Sequence, residues 1–359
     1  MSNCWRWMAS SRNSMICNRF NVNGQSFNSR SSFARLQSEA AQELSTLISH
    51  LSTMIFVHDK GRMCNNILQY AHLYAWGREH HRTTMSMRFA YKYQYFHICH
   101  TPYHRFLNYA FAKYAAKLKL IPTVTFNEEG APTDQQEQVM LHRRLVMAEG
   151  WYVRYYDLFL KYKPEILQLF DFLPEVKTSV AERFAKAERE NEGDGVAVLS
   201  PSERRDRVLR VGVHIRRGDY KTFNGGKFFY TDEQYVKVIK NFLNLIQTNL
   251  NKEGRDDSSV AIYICGNDPT LDKDYYRQQL STLNGPLSIE TPSLSFPDGN
   301  PGEDLCLLSQ CDYLIGPPST FTLVASMYHD TPLCWLIDIN EPITFDSFNH
   351  FDYLFRHII

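Results

Sequence analysis

The stretch that decides the fold is VLRVGVHIRRGDY, residues 208–220. Its first part, Val208–Ile215, is typical of a buried strand with four apolar residues facing a core. The strand ends in a dense polar cluster that contains His214, Arg216, Arg217 and Asp219. Because ligands of open α/β sheets bind at the carboxyl ends of strands, this cluster is the first candidate for a binding site.

The two adjacent arginines of this cluster cannot share one environment. Neighbouring side chains in an extended segment point to opposite faces, and a buried charge needs a partner. We therefore expect one of Arg216 and Arg217 to face a ligand while a carboxylate holds the other. A guanidinium suits a diphosphate because it donates two parallel hydrogen bonds. Asp219 is either a general base or a partner for an arginine or the loop backbone. A plain Arg–Asp surface network is the alternative for the whole cluster.

The residues after this cluster alternate between helical and strand patterns. Thr231-Asp232-Glu233-Gln234 matches a capping box and predicts a long amphipathic helix to about Leu250. The other predicted elements are strands at Val260–Cys265, Tyr313–Gly316 and Leu333–Ile339 and helices at Leu271–Leu280, Asp304–Gln310 and Thr320–His329. This order predicts a Rossmann-like domain with a parallel sheet.

The first half of the chain begins with a similar βα pattern. Ser52–His58 is typical of a short buried strand, and a loop that contains Gly61 leads into a helix at about 65–81. The remaining predicted elements are helices at Phe106–Leu118 and Glu137–Glu149, a strand at Pro122–Phe126, and an aromatic helical segment at Trp151–Phe172 with a break at Pro164.

The composition changes along the chain indicate its domain borders. Ala181–Gly195 turns charged and then glycine-rich, and it is the best candidate for an interdomain linker. Residues 1–50 are dominated by Ser, Asn and Arg without periodicity, which predicts a disordered or non-native extension. We therefore expect an N-terminal Rossmann-like domain at 51–195 and a C-terminal one at 196–359.

Three more segments carry candidate chemistry. Ser319 and Thr320 lie between a predicted strand and helix, where backbone N–H groups and two hydroxyls make either an anion site or an ordinary helix cap. Asp304 opens a predicted helix, and its carboxylate is a natural partner for the paired N–H donors of guanine. Helix capping is the alternative role for Asp304. The turn Ile264–Pro269 also follows a predicted strand, but an ordinary Asx turn explains it at least as well as a binding site does.

The composition argues against several classes of protein. Lys plus Arg and Asp plus Glu are equal at 39 each in 359 residues, which argues against a nucleic-acid-binding protein. No apolar run has the length of a transmembrane helix, and no signal-peptide pattern is present. Eight scattered cysteines without a CxxC pair fit a reduced, cytoplasmic chain. Cys99, His100 and His104 lack a recognisable zinc spacing, so we expect no metal.

The motifs together resemble the glycosyltransferase family 11 α-1,2-fucosyltransferases and, more distantly, the α-1,6- and protein O-fucosyltransferases. HIRRGDY at 214–220 resembles the family's H-x-R-R-G-D-Y motif, and residues 60–71 resemble its N-terminal G-G-L-G-N-Q-x-x-Q-Y-A signature. Shorter matches lie at 149–156, 304–312 and 319–321. The resemblance runs from about Met54 to near the end of the chain.

The family resemblance implies a fold and an activity. The fold is the α/β GT-B architecture, in which two Rossmann-like domains with parallel sheets face each other. The activity is transfer of L-fucose from GDP-fucose to a glycan hydroxyl, with inversion at the anomeric carbon and without a metal or other cofactor. The acceptor hydroxyl implied by the family's α-1,2 linkage is the 2-OH of galactose. The glycan acceptor would bring the protein to the inner face of a membrane as a peripheral partner.

The resemblance also implies roles for individual residues of the second domain. Arg216 would hold the β-phosphate, and His214 would lie beside the guanosine. Asp304 would bind the guanine edge. Ser319 and Thr320 would hold phosphate.

The first domain would contribute Gly61 and Asn65, which face the diphosphate or the acceptor. Inversion requires one displacement, for which Asp219 is the nearby carboxylate. Arg62 and Cys64 stand where the family has glycines, and a Cβ there narrows the approach of backbone to ligand. Two alternatives therefore stay open: a related transferase with another nucleotide sugar or linkage, and a catalytically silent member that only binds nucleotide or glycan.

Overall fold

The computed structural model describes residues 53–189, 208–253, 259–266, 268–281 and 292–357. These residues belong to one compact unit of the chain, Ser49–Ile359. The predicted extension at 1–50, the second half of the predicted linker with the domain border at 195, and Asn267 lie outside the described residues.

Two sheets organise the chain. The strands are, in chain order, β1 Met54–His58, β2 Thr83–Ser86, β3 Thr123–Thr125, β4 Leu145–Glu149, β5 Val208–Ile215, β6 Ser259–Gly266, β7 Ser293–Ser295, β8 Tyr313–Gly316, β9 Leu333–Trp335 and β10 Phe348–Asn349. The first sheet has the order β2-β1-β4-β3 and is parallel throughout. The second sheet has the order β10-β9-β8-β5-β6-β7 and is parallel except for β10, which pairs antiparallel with β9.

Helices cover the faces of both sheets. They are, in chain order, α1 Met63–Glu79, α2 Phe106–Lys117, α3 Asp134–His142, α4 Tyr156–Lys161, α5 Lys163–Leu169, α6 Pro174–Arg189, α7 Asp232–Glu253, α8 Lys273–Ser281, α9 Pro301–Ser309, α10 Thr320–His329 and α11 Phe351–Phe355. Both sheets alternate strands with helices in the way that Rossmann-like folds do.

Strand β1 shows how the first sheet is buried on both sides. Ile55 and Val57 point into the core that contains α1, whereas Met54 and Phe56 point into a smaller core with α2. This alternation follows from the two-residue period of a strand. It leaves His58 at the carboxyl end of β1, where the sheet meets the surface.

The predicted helix Glu137–Glu149 is wrong in its second half. Helix α3 ends at His142, and Leu145–Glu149 forms β4, a central strand between β1 and β3. The guanidinium of Arg82 explains the sharp end, since it donates to the carbonyls of Leu141, Arg143 and Arg144 at 2.6 to 3.1 Å. These bonds satisfy carbonyl groups that the helix end leaves free.

The predicted linker is also wrong as far as the structure describes it. Ala181–Arg189 continues helix α6 rather than forming a loop. Glu188 in this segment is buried and receives two hydrogen bonds from Arg210 of β5, at 2.7 and 2.9 Å. Charged residues in this stretch therefore form a buried ion pair against the second sheet instead of a solvated connection.

Most predicted elements of the second half are confirmed. Strands β5 and β8 and helix α10 have the predicted bounds. The capping box at Thr231 is present, because its hydroxyl accepts from the Gln234 amide at 3.3 Å while the Gln234 side chain accepts from the Thr231 amide at 2.9 Å. The short strands β7 and β10 were not predicted.

Candidate functional site

Two adjoining cavities lie at the carboxyl edge of the second sheet. The first, of about 220 Å³, is lined by His214, Asp304 and Phe321 and by residues of the first half of the chain, among them Arg62 and Cys64. The second, of about 210 Å³, contains Asn65, Trp151, Asp219 and Ser319. Arg216 and Thr320 line both cavities, so these two side chains stand at their junction.

His214 is buried at the end of β5, and its ring stacks on that of Phe321 with centroids 5.0 Å apart. Burial and the nearby charge of Arg216 lower the pKa of His214 to about 3, so the imidazole is neutral at physiological pH. Its Nδ1 atom has no hydrogen-bond partner among the described residues. A buried polar atom without a partner is costly, and His214 itself lines the first cavity, where a ligand could supply that partner.

The adjacent arginines diverge as the sequence predicts. Arg217 turns inward, where its side chain binds Asp232 at 2.5 Å, Asp268 at 3.3 Å and the carbonyl of Tyr230 at 2.9 Å. Arg216 turns toward the cavities, with its guanidinium 4.8 Å from the centre of the Tyr220 ring. Arg217 is thus the arginine that carboxylates hold, and a substrate contact by Arg217, which the sequence also allows, does not fit because Asp232 and Asp268 occupy its donors.

Asp219 forms a two-point ion pair with Arg216, at 3.2 Å to Nε and 2.8 Å to a terminal nitrogen. Arg62 approaches the same carboxylate at 3.6 Å. Partial burial raises the pKa of Asp219, but the hydrogen bond and charge of Arg216 outweigh it and hold the pKa below its ordinary value. This arrangement favours the orienting role over the basic role, since a carboxylate with a low pKa is a poor proton acceptor.

Asp304 does not open its helix. Asn300 caps helix α9 with a capping box that includes Glu303, so Asp304 is free of the capping role. One carboxylate oxygen of Asp304 is buried without a hydrogen-bond partner in the described part of the chain. Burial raises the pKa of Asp304 to about 7, against the opposing charge of Arg183. A paired N–H donor from a ligand would satisfy this oxygen and stabilise its charge.

Ser319 and Thr320 begin helix α10 and have different tasks. The Ser319 hydroxyl accepts from the Phe321 amide at 3.2 Å and is the N-cap of the helix. The Thr320 hydroxyl donates to the Asn65 side chain at 2.5 Å and joins the second sheet's edge to helix α1. The helix N-terminus nevertheless faces the second cavity, where its dipole favours an anion.

Gly61 supports the site without lining either cavity in this structure. Its φ of +91° suits glycine, and a Cβ there would lie 2.5 Å from the Asn65 amide nitrogen. Glycine at this position therefore lets the loop fold against Asn65. The neighbouring Arg62 and Cys64 line the first cavity, and burial raises the pKa of the Cys64 thiol. The sequence does not single out three of the lining residues, Arg62, Trp151 and Phe321. For Arg62 a signal exists, because it follows the end of a strand as Arg216 does.

His104, one of the histidines near Cys99, has a structural role. His104 is buried, accepts from the Ser86 amide at 3.0 Å and bonds Thr101 at 2.7 Å. Burial lowers its pKa to about 3. Within the described ranges, no group of three or more His, Cys, Asp or Glu residues is arranged to hold a metal ion.

Comparison with solved structures identifies the fold. The chain is similar to a mutant of Arabidopsis thaliana FUT1 solved with GDP, with a TM-score of 0.55 and 12% identity over 85% of this chain and 77% of that one. Weaker similarities are to POFUT1 in complex with GDP-fucose (TM-score 0.42, 9% identity, 78% of this chain and 94% of that one) and to a family 9 glycosyltransferase from Veillonella parvula DSM 2008 (0.39, 11%, 79% and 81%). No protein-family model and no curated protein matches the sequence.

The chain therefore has the α/β GT-B fold, with two Rossmann-like halves built on parallel sheets. The carboxyl edges of both sheets contribute to the candidate site, because residues that follow β1 and β4 line the same cavities as residues that follow β5 and β8. No helix in the described residues is long and apolar enough to cross a membrane.

Proposed function

We propose that the protein is an inverting glycosyltransferase that moves L-fucose from GDP-fucose to a glycan hydroxyl without a metal. The observation that carries this proposal is a single cavity lined by Asp304, His214 and Arg216, of which the first two each have a buried polar atom without a hydrogen-bond partner in the described part of the chain. A carboxylate and an acceptor nitrogen suit the N–H edge and hydroxyl groups of guanosine, and an arginine suits the diphosphate.

The donor would span both cavities. Guanosine would occupy the cavity with Asp304 and His214, and the diphosphate would lie at the junction near Arg216 and Thr320. The sugar would then extend into the second cavity toward Trp151. Asn65 contacts Thr320 and would approach the diphosphate from the first half of the chain.

A single displacement fits this arrangement. The acceptor oxygen would bond to the anomeric carbon from the face opposite the diphosphate, while the bond from that carbon to the phosphate oxygen breaks and its electron pair leaves with GDP. Arg216 and the N-terminus of α10 would stabilise the charge that develops on the leaving group. Asp219 would hold Arg216 in place rather than take the acceptor proton.

The family resemblance supports fucose as the sugar and the 2-hydroxyl of a terminal galactose as the acceptor group. The fold similarity to a FUT1 mutant solved with GDP is compatible with a guanine nucleotide. The test below also has three competing outcomes. The donor could be another nucleotide sugar, the linkage formed could be a different one, or the protein could bind the nucleotide or glycan without catalysing transfer.

Incubation with GDP-fucose and a panel of defined oligosaccharides tests the proposal. We expect transfer to a galactose-terminated acceptor, with inversion at the anomeric carbon visible in the proton spectrum of the product. Transfer from a uridine nucleotide sugar in preference would overturn the guanine assignment. Binding of GDP-fucose without transfer or hydrolysis would indicate the silent protein.

A further inference from the structure

A third cavity, of about 400 Å³, lies at the carboxyl edge of the first sheet. It is lined by His58 at the end of β1, by Glu149 at the end of β4, and by the rings of Tyr91 and Tyr109. The two tyrosine rings stand 4.5 Å apart. Adjacent aromatic rings in an open cavity suit the apolar face of a sugar.

His58 and Glu149 form a pair within this cavity. The Nδ1 atom of His58 lies 2.9 Å from a carboxylate oxygen of Glu149, which places a proton on Nδ1 in the neutral ring. Nε2 is then unprotonated and can accept a proton. Lys60 approaches the same carboxylate at 3.8 Å. A histidine held by a carboxylate in this way is a standard general base.

His58 and Glu149 are each joined to the proposed donor site by a short segment of chain. Glu149 is two residues before Trp151, which lines the second cavity, and His58 is four residues before Arg62, which lines the first. An extended chain spans at most about 3.6 Å per residue, so both connections are short. Asp219 is bound by Arg216 and Arg62, which makes this carboxylate a poor acceptor for the hydroxyl proton of the glycan. Asp59, which follows His58, is buried with 1% of its surface exposed, so it is less accessible to a glycan than His58 is.

We propose that His58 is the catalytic base and that Glu149 positions it. The inference rests on the proposed function. As the acceptor oxygen bonds to the anomeric carbon and the electron pair of the broken bond leaves with GDP, the hydroxyl proton passes to Nε2 of His58. The acceptor glycan stacks on Tyr91 and Tyr109 while this occurs.

Substitution of His58 tests the assignment with the full-length protein. His58→Asn keeps a donor toward Glu149 but has no base, so we expect transfer to fall at least ~100-fold while GDP-fucose affinity stays within about twofold. Added imidazole should restore part of the rate, which a merely structural histidine would not allow. Glu149→Gln should lower kcat by about tenfold with little change in KM for the donor. His142→Asn, on the exposed end of α3, is the matched control.

The outcomes separate this inference from the proposed function. A wild-type protein that neither transfers nor hydrolyses GDP-fucose refutes both. A wild-type protein that transfers fucose while His58→Asn retains more than a third of the rate refutes the base alone. A large loss in His58→Asn that imidazole does not rescue also refutes it.

A second and independent observation concerns the outer face of helix α2. Its core side carries the small or polar residues Asn108, Ala112 and Ala115. The large apolar residues point outward instead, with 48 to 78% of their surface exposed at Phe106, Leu107, Phe111, Tyr114, Leu118 and Leu120. Spacings of four, three and four place Leu107, Phe111, Tyr114 and Leu118 on one stripe, and Phe106 and Leu120 lie near its two ends. We call this stripe the α2 face.

The charged side chains of the chain segment that contains the α2 face are all basic. No Asp or Glu occurs from His80 to Asn127, a stretch that contains seven Lys and Arg residues in a chain of zero net charge. Arg105, Lys113, Lys117 and Lys119 are exposed beside the stripe. An exposed apolar stripe flanked by cations is the pattern of a helix that lies in a membrane interface. Its charge complements an anionic lipid surface.

We infer that the α2 face docks on an anionic membrane. Tyr109 and Lys113 belong to the same helix and line the third cavity, so docking would bring that cavity close to the lipid surface. The acceptor in this arrangement is a glycan presented from the membrane.

Vesicle co-sedimentation of the full-length protein tests the docking. We expect binding to phosphatidylcholine vesicles that contain phosphatidylglycerol, weaker binding without it, and release at high salt. Leu107→Ser with Leu118→Ser should weaken binding at least ~10-fold, whereas Tyr353→Ser, which removes an exposed ring on α11, should not. Absence of lipid binding would overturn the inference. A wild-type dimer that the double variant converts to a monomer would overturn it as well.

Discussion

The carboxyl edges of the two sheets differ in how exposed their polar side chains are and in how those side chains are partnered. The second-sheet edge contains two buried polar atoms, one of His214 and one of Asp304, that have no hydrogen-bond partner among the described residues. At the first-sheet edge, His58, Lys60 and Glu149 are partly exposed and contact one another, while the buried Asp59 beside them has one oxygen without a partner in the described ranges. A buried polar atom without a hydrogen-bond partner favours a ligand that supplies that partner in one geometry. Exposed groups that already contact one another impose a weaker geometric requirement on a ligand. The difference fits a fixed nucleotide on one side and a variable glycan on the other.

The largest expected effect is on the second-sheet edge. Arg216→Ala would remove the proposed charge-assisted contact to the diphosphate, and we expect a loss of at least ~3 kcal/mol of transition-state stabilisation, measured as kcat/KM. Thermal unfolding should change little, because Arg216 lines cavities rather than core. Arg277→Ala, which removes an exposed arginine paired with Asp274, is the control. Near-normal turnover in Arg216→Ala would refute the phosphate role.

Substitution of the adjacent Arg217 should affect stability rather than ligand binding. Arg217→Met leaves Asp232 and Asp268 without their buried partner, and we expect a loss of about 3–5 kcal/mol in the free energy of unfolding. Denaturant titration measures this change. If Arg217→Met left stability intact and abolished turnover, Arg217 rather than Arg216 would be the ligand contact.

The charge of Asp304 should make stability depend on pH. Its pKa is raised from 3.8 to about 7 in the folded protein, so the folded state holds this proton more tightly than the unfolded state does. The resulting stabilisation is complete below about pH 4 and is lost as the pH rises through about 7. Asp304→Asn should therefore be more stable than the wild type at pH 8 by about 1–3 kcal/mol and show no difference near pH 4. An equal difference at both pH values would contradict the raised pKa.

The smallest effect is expected at the contact between the two halves. Thr320→Val removes the hydroxyl that donates to Asn65, and we expect a loss of about 1 kcal/mol in stability with a modest rise in KM for the donor. Ser326→Ala, which removes a buried hydroxyl of the same helix from the carbonyl of Thr331, is the comparison for a bond within the second half. A KM effect as large in Ser326→Ala would show that the Asn65 contact has no special role in binding.

The sequence predicts the second sheet better than the first for a physical reason. Strand β5 and helix α10 carry unambiguous signals, namely an apolar run before a polar cluster and a serine cap after a strand. Leu145–Glu149 is a short apolar run directly after a helix, and periodicity alone cannot separate the end of a helix from a short buried strand. The charged stretch at Ala181–Arg189 is buried through the pairing of Glu188 with Arg210, a contact between distant residues that local composition does not contain.

In the candidate site, too, local sequence predicts some features, but it does not predict contacts between distant residues. The divergence of Arg216 and Arg217 follows from the geometry of an extended segment, and the sequence predicts it. The capping of α9 by Asn300 frees Asp304, and this depends on where the helix begins. The pairing of His58 with Glu149 joins residues 91 positions apart, so only the adjacency of β1 and β4 reveals it.

Calorimetric titration of the full-length protein with GDP and with UDP tests the central claim most directly. If the second-sheet edge is a guanine nucleotide site, GDP should bind at least ~10-fold more tightly than UDP, and Asp304→Asn should remove most of that preference. Equal affinity for the two nucleotides in the wild type, or a preference that Asp304→Asn leaves unchanged, would contradict the account.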